Sequence, residues 1–152
     1  MVKILSADFN NRKKELTVVY QNKKTVVLHY GQLGIKINIK TVGIDPDSHG
    51  LALVLVLENG KEEFIPYDIP LIFSKDPDYL FQTKIEELIV DIKIKMKKNE
   101  ISKKYLARQL QTSDIQIERL LNPKNPKKNF LQINKIAHIL GMNLLIKMKK
   151  AA

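Results

Sequence analysis

Several side chains between residues 103 and 128 carry groups that hydrogen-bond to nucleobases or to phosphate. The amide of Gln116 can bind the major-groove edge of adenine with two hydrogen bonds, and the guanidinium of Arg119 can bind guanine or a phosphate. Lysine and arginine side chains nearby would position such a module on the sugar-phosphate backbone. The polar and basic candidates in this segment are Ser113, Asp114, Gln116, Arg119, Asn122, Arg108, Lys103, Lys124, Lys127 and Lys128.

Charge supports this chemistry in one half of the chain. Residues 92–150 contain fifteen Lys and Arg against three Asp and Glu, whereas residues 1–75 contain ten against eight. A localised positive field is typical of surfaces that bind polyanions. Two carboxylates, Asp114 and Glu118, lie among the candidates, and acidic residues read base edges only uncommonly. We predict double-stranded DNA as the partner, with about six phosphate contacts and a log–log salt slope of about −5.

Catalytic and metal-binding patterns are weak in this sequence. It contains no cysteine, no glycine-rich phosphate loop, no Ser-His-Asp arrangement and no His-Glu-x-x-His motif. Residues 45–49, Asp-Pro-Asp-Ser-His, resemble a metal-ligand cluster, but this composition is also that of a common turn. The adjacent carboxylates at 62–63 and 86–87 diverge on a strand or a helix and indicate solvated faces. We expect no enzymatic activity, no cofactor and no metal.

Two short helices, at 102–110 and 113–121, are predicted to hold the candidate residues. Ser102 and Ser113 can each cap a helix N-terminus. Two helices of about eight residues joined by a short turn fit the arrangement in which the second helix enters the DNA major groove. A helical pair that is only structural is the alternative. The residues predicted to face the core are Leu106, Ala107, Leu110, Ile117 and Leu120.

The sequence around this turn resembles the Cro/phage-repressor (XRE) class of helix-turn-helix. The resemblance rests on residues 106–110 (Leu-Ala-Arg-Gln-Leu), 112–113 (Thr-Ser), Ile117 and 119–123 (Arg-Leu-Leu-Asn-Pro), and it covers roughly residues 83–148. The last of these segments, followed by Leu131, Ile136 and residues 140–141 (Leu-Gly), is similar to the DNA-binding part of toxin–antitoxin antitoxins. The resemblance implies a bundle of four or five helices, a homodimer, and a recognition helix at 113–121 that contacts DNA. The outward residues that it implies for this helix are Ser113, Asp114, Gln116, Glu118 and Arg119, with Asn122 just beyond. The class usually has Gly in the turn, where a left-handed Gln111 costs about 1 kcal/mol.

Further helices are predicted on both sides of this pair. Apolar residues spaced at 3.6-residue intervals, from Ile85 through Leu88, Ile89 and Ile92 to Met96, predict a helix over 79–98. Another helix is predicted at 130–140, with Gly141 as its left-handed end. Residues 143–147 are predicted as a terminal strand, and such strands in antitoxin-like relatives commonly join a dimer.

Residues 1–73 have the composition of β-structure. Six strands bounded by polar turns are predicted, at 2–8, 15–20, 25–29, 35–42, 51–57 and 61–65. Asn59-Gly60 between the last two predicts a hairpin with a type I′ turn. No family is recognised for this half.

The six strands are predicted to form two copies of one unit, because several positions coincide when the chain is shifted by 37 residues. Two copies packed together would bury both apolar faces. Chance similarity between short β-segments is the alternative. The coinciding pairs are Lys3/Lys40, Asp8/Asp45, Leu16/Leu53, Val19/Val56, Asn22/Asn59, Lys24/Lys61 and Tyr30/Tyr67.

The prolines at 66, 70 and 77 predict a linker over 66–78 between two domains, 1–75 and 79–150. The predicted fold is thus α+β, an N-terminal antiparallel β domain with a pseudo-repeat followed by a Cro-like helix-turn-helix bundle. No apolar run is long enough to span a bilayer, so a cytoplasmic location is expected.

The leading hypothesis is a DNA-binding transcriptional regulator. The alternative is an antitoxin or other interaction module whose β domain binds a toxin or another partner protein. A third hypothesis is single-stranded RNA binding by aromatic residues of the β domain, namely Tyr20, Tyr30, Phe64 and Tyr67.

Overall fold

A computed structural model describes residues 1–150 of the chain. Within that range the fold is α+β, with two three-stranded antiparallel sheets and five α-helices. The strands are β1 Ile4–Asn10, β2 Glu15–Tyr20, β3 Thr25–His29, β4 Ile39–Ile44, β5 Ala52–Leu57 and β6 Glu62–Pro66. The helices are α1 Asp68–Phe73, α2 Pro77–Lys98, α3 Lys103–Gln109, α4 Asp114–Leu120 and α5 Phe130–Ile139. No helix of residues 1–150 is long and apolar enough to cross a membrane.

The chain divides into two compact units, residues 1–80 (unit 1) and 81–152 (unit 2). Unit 1 contains the sheets β1-β2-β3 and β4-β5-β6. Inward residues alternate along the strands, as in Leu16, Val18 and Tyr20 of β2, because successive side chains of a strand point to opposite faces. Inward residues of both sheets belong to one hydrophobic cluster. The sheets therefore share a single core.

The hairpin turns of the two sheets have the same geometry. The Gly60 N–H donates to the Leu57 carbonyl oxygen, and Gly60 is left-handed with a φ of 82°. The Lys23 N–H donates likewise to the Tyr20 carbonyl oxygen, and Lys23 has a φ of 67°. The predicted hairpin is confirmed, but its type I′ turn is wrong. Such a turn needs positive φ at both central residues, whereas Asn59 is not left-handed and the loop closes over three residues.

The repeat is present in both sheets, but its offset is not constant. Ile4 pairs with Tyr20, and Ile39 pairs with Leu57, so the first strands are offset by 35 residues and the second strands by 37. The connection from β4 to β5 is longer than that from β1 to β2, which accounts for the difference. The predicted equivalences Lys3/Lys40 and Asp8/Asp45 are therefore wrong, whereas those from Leu16/Leu53 onward are in register.

Two predicted boundaries in unit 1 are corrected. The predicted strand 35–42 begins only at Ile39, because Gly34 is left-handed and the Ile35 N–H donates back to the Tyr30 carbonyl oxygen. The predicted linker 66–78 contains helix α1. Pro70 lies in the first turn of α1, where a helix tolerates a missing N–H.

The start of α2 is fixed by a partly buried carboxylate. Asp76 accepts a hydrogen bond from the Tyr79 N–H and forms an ion pair with Lys24 at 2.5 Å, and Lys24 also pairs with Asp78. Burial raises the pKa of Asp76, but the Lys24 ammonium and the N–H groups of Tyr79 and Asp78 lower it by more. The pKa of Asp76 therefore lies below its ordinary value.

Unit 2 has its own core, to which α2, α3, α4 and α5 all contribute. The side chains of Ile85, Ile89, Ile92 and Met96 are buried at the spacing that the sequence predicts. Gly141, which follows the last residue of α5 and its C-cap Leu140, is left-handed with a φ of 73°, as predicted.

Residues 143–147 form neither helix nor strand, so the predicted terminal strand is not present in the chain as described. A strand needs a hydrogen-bonded neighbour. Residues 81–150 contain no other strand that could provide one.

Candidate functional site

Helices α3 and α4 begin at the two serines that the sequence indicates. The Ser102 hydroxyl accepts a hydrogen bond from the Tyr105 N–H, and the Ser113 hydroxyl accepts one from the Gln116 N–H. Each serine thus pairs one of the N–H groups that a helix leaves unpaired at its start. Both caps were predicted, and both are confirmed.

The buried side of the pair holds α4 firmly in unit 2. Leu106 and Ile117 are fully buried, and Ala107 is buried as well. Leu121 is also buried, whereas the predicted core residue Leu120 is only half-buried. The helix is therefore anchored mainly through Ile117 and Leu121, and Leu120 packs against the same core from a half-buried position.

The turn between the helices has a left-handed residue at the position where the resemblance implies one. Gln111 has a φ of 51°, the Thr112 N–H donates to the Ala107 carbonyl oxygen, and the Gln111 N–H donates to that of Arg108. These two hydrogen bonds form a Schellman motif, which normally uses glycine at the left-handed position. The chain direction between α3 and α4 is set by this strained residue.

The outer side of α4 is exposed to solvent. Asp114, Gln116 and Arg119 are exposed, as are the flanking predicted residues Ser113 and Asn122. Among residues 1–150, the side chains of Gln116 and Arg119 have no hydrogen-bond or ion-pair partner. Both groups are therefore available to an external ligand.

Two of the predicted contact residues are engaged within unit 2. Lys103 of α3 forms an ion pair with Glu118 of α4 at 2.5 Å, which links the two helices and neutralises one carboxylate of the outer side. The Lys128 ammonium donates to the carbonyl oxygens of Arg119 at 3.1 Å and of Asn122 at 2.6 Å. Lys128 thereby caps the C-terminal end of α4, where a cation is favourable.

The remaining basic candidates are at the surface. Arg108 lies in the last turn of α3, and Lys124 and Lys127 lie in the loop after α4; all three are exposed. Their side chains form no ion pair within the described part of the chain. These three residues and Arg119 are thus predicted contact residues whose positive charges are available to bind an anion.

The sequence reasoning missed two residues of this region. Ile115 lies on the outer side of α4 with 64 % of its surface exposed, and Lys93 of α2 lines a depression of about 360 Å³ beside α4. Helical spacing could have placed Ile115, because it is two positions, or about 200°, from the buried Ile117. No sequence pattern brings Lys93 to α4, because the two are adjacent only in the folded unit. The depression is lined by Lys93, Lys103, Ile115, Glu118, Arg119, Leu121, Asn122 and Pro123.

Two of the four aromatic residues proposed for RNA stacking are buried inside unit 1. Tyr20 and Tyr30 are buried, and their hydroxyls donate to the Tyr67 carbonyl oxygen and to the Asn11 side chain. Burial and the nearby carboxylate of Asp68 raise the pKa of Tyr20. Bases stack only on exposed rings, so this hypothesis loses two of its four residues.

The segment 45–49 is a turn. Its Asp45 carboxylate accepts from the Asp47 N–H, and the Ser48 hydroxyl donates to the Asp45 carbonyl oxygen. Among residues 1–150 no group of three or more His, Cys, Asp or Glu side chains could hold a metal ion. Comparison of the chain with protein-family models, with curated proteins and with solved structures found no match.

Proposed function

We propose that this protein is a sequence-specific DNA-binding transcriptional regulator that inserts α4 into the major groove. The observation that supports this most directly is that α4 is held rigidly while its outer side is exposed. The helix is capped at both ends, anchored by Ile117 and Leu121, and exposed on the side that carries Gln116 and Arg119. A short rigid helix with unpaired amide and guanidinium groups is suited to reading base edges.

Three neighbouring side chains of α4 offer different base contacts. Gln116 is suited to adenine and Arg119 to guanine, each through two hydrogen bonds. The exposed Ile115 adds an apolar surface that can contact the methyl group of thymine. We infer that the operator half-site contains A·T pairs next to a G·C pair.

The two acidic residues on the outer side of α4, Asp114 and Glu118, oppose DNA binding less than their number suggests. Glu118 is paired with Lys103, so Asp114 is the carboxylate of α4 without an ion-pair partner among residues 1–150. Arg108, at the end of α3, and Lys124 and Lys127, in the loop after α4, are the exposed cations that we propose as phosphate ligands. Cationic side chains without an ion-pair partner therefore outnumber such carboxylates around α4.

Binding to the DNA upstream of the protein's own gene tests this function. Fluorescence anisotropy with a labelled duplex would give the dissociation constant at several salt concentrations. Arg119→Ala is expected to weaken binding by about ten- to a hundredfold, and Lys127→Ala to weaken it uniformly across sequences. Lys40→Ala, an exposed lysine of β4 in unit 1, is the matched control and should bind as the wild type does.

The refuting result is a folded protein whose binding is unaffected by Arg119→Ala and Lys127→Ala. Circular dichroism would establish that the helices are retained. Equal affinity for unrelated duplexes would reduce the proposal to non-specific binding of polyanions.

The antitoxin alternative places its partner-binding surface on unit 1. Phe64 of β6 and Phe73 of α1 are exposed beside a mainly apolar depression of about 320 Å³. If the product of an adjacent gene co-purifies with the protein, Phe64→Ser should release it, whereas Val27→Ser on β3 should not. Dimerisation is part of both proposals, and sedimentation equilibrium would measure it.

A further inference from the structure

Three helices of unit 2 bring basic side chains to one shallow depression. Lys93 comes from α2, Lys103 from α3, and Arg119 from the last turn of α4. Only Arg119 and Lys103 lie within the helical pair that the sequence analysis selected. Lys93 is ten residues from α3 in sequence and reaches the depression through the folding of unit 2.

The charges of the depression are unbalanced. It contains three cations and one carboxylate, Glu118, which is already paired with Lys103. Lys93 has no ion-pair partner among the described residues, and its positive charge contributes, after burial, to lowering the pKa of Lys128. An anion bound to Lys93 in this depression would reduce the repulsion between Lys93 and Lys128 and would lie beside the exposed side of α4.

We propose that this depression binds one phosphate of the DNA backbone, and that Lys93 of α2 is a phosphate ligand. This inference rests on the proposed function. A phosphate is the anion that a duplex presents at the edges of the groove entered by α4. A phosphate held here would contact α2 and α4 together and would thereby fix the depth and rotation of α4 in the groove. Ile115, at the rim of the same depression, would then lie next to the base step adjoining that phosphate.

The charge of Lys93 can be tested against a matched lysine of the same helix. Lys98 is exposed and lies five residues, or about 140° around α2, from Lys93. Lys93→Gln and Lys98→Gln remove the same charge from the same helix, so long-range electrostatics changes similarly in both. Only the first removes a cation from the depression.

The measurement is the dependence of DNA affinity on salt for wild type and both variants. Loss of one phosphate contact lowers the magnitude of the log–log slope by about 0.9. Between 50 and 200 mM salt, the affinity of the wild type should therefore fall about 3.5-fold more than that of Lys93→Gln. Lys98→Gln should retain the wild-type slope. Equal slopes for Lys93→Gln and the wild type would overturn the inference, as would equal losses in both variants.

A second arm separates this inference from the DNA-binding proposal. Titration of the wild type with inorganic phosphate, followed by amide chemical shifts, should perturb residues around Lys93 and Arg119, and Lys93→Gln should abolish those shifts. If inorganic phosphate binds but no duplex does, the DNA-binding proposal fails, and so does the inference that the depression binds a phosphate of the DNA backbone. The depression is then a site for free phosphate. If a duplex binds with a slope independent of Lys93, only the inference fails.

Discussion

Replacing Gln111 by glycine should stabilise unit 2, although it removes a side chain. Gln111 is exposed and left-handed, and such a conformation costs a non-glycine residue about 1–2 kcal/mol. Glycine relieves this cost but loses about 0.5–1 kcal/mol through the greater entropy of the unfolded chain. The net gain lies between about 0 and 1.5 kcal/mol, with a midpoint of about 0.75 kcal/mol. For a unit of this size the midpoint corresponds to a rise in Tm of about 3–6 °C.

Thermal unfolding followed by circular dichroism or calorimetry would measure this change. Gln109→Gly, in the last turn of α3, is the control, because glycine inside a helix is destabilising by about 0.5–1 kcal/mol. The two variants carry the same substitution two residues apart and should shift Tm in opposite directions. A fall in Tm for Gln111→Gly comparable to that for Gln109→Gly would refute a strained turn between α3 and α4.

Three further predictions concern charge and contact. The pKa of Asp76 is lowered in the folded chain, so its stabilising effect is present above its ordinary pKa and is lost as the pH falls below about 4. Wild type should therefore lose more stability than Asp76→Asn in urea titrations between pH 5 and pH 3. Lys128→Met should destabilise unit 2 by about 1–2 kcal/mol and weaken DNA binding without changing the salt slope, because its ammonium binds carbonyl groups of α4. Ile115→Ala should weaken DNA binding about fivefold with unchanged stability, and replacing the contacted thymine by deoxyuridine should remove that difference; a loss that persists on the deoxyuridine duplex would contradict a methyl contact.

Features encoded by neighbouring residues were predictable from the sequence. Ser102 and Ser113 were expected as caps, and each accepts the expected backbone N–H. Gly141 was expected to be left-handed, and it is. In each of these cases a few adjacent residues determine the local backbone conformation, so the pattern along the chain contains the necessary information. For Gln111 the expectation came instead from the resemblance to the Cro/phage-repressor class, and its φ is also positive.

Features that depend on distant parts of the chain were not predictable in the same way. The prolines at 66, 70 and 77 indicated a linker, yet Leu71 is buried in the core of unit 1 and draws the segment into helix α1. The offset of the β repeat changes along the chain from 35 to 37 residues because the connection from β4 to β5 is longer than that from β1 to β2, and a single shift cannot represent this. Lys93 reaches the depression only through tertiary packing.

The basic residues of unit 2 illustrate why a count of charges overestimates a binding surface. Lys103 neutralises Glu118 and joins α3 to α4, and Lys128 binds the carbonyl groups at the end of α4. These two cations act on the helix that would meet DNA, and they are not free to bind phosphate themselves. Conversely, Lys93 is free but lies outside the segment that carries the motif. The four predicted cations that remain free give a salt slope of about −3.6, and Lys93 as a fifth phosphate ligand would bring it to about −4.5.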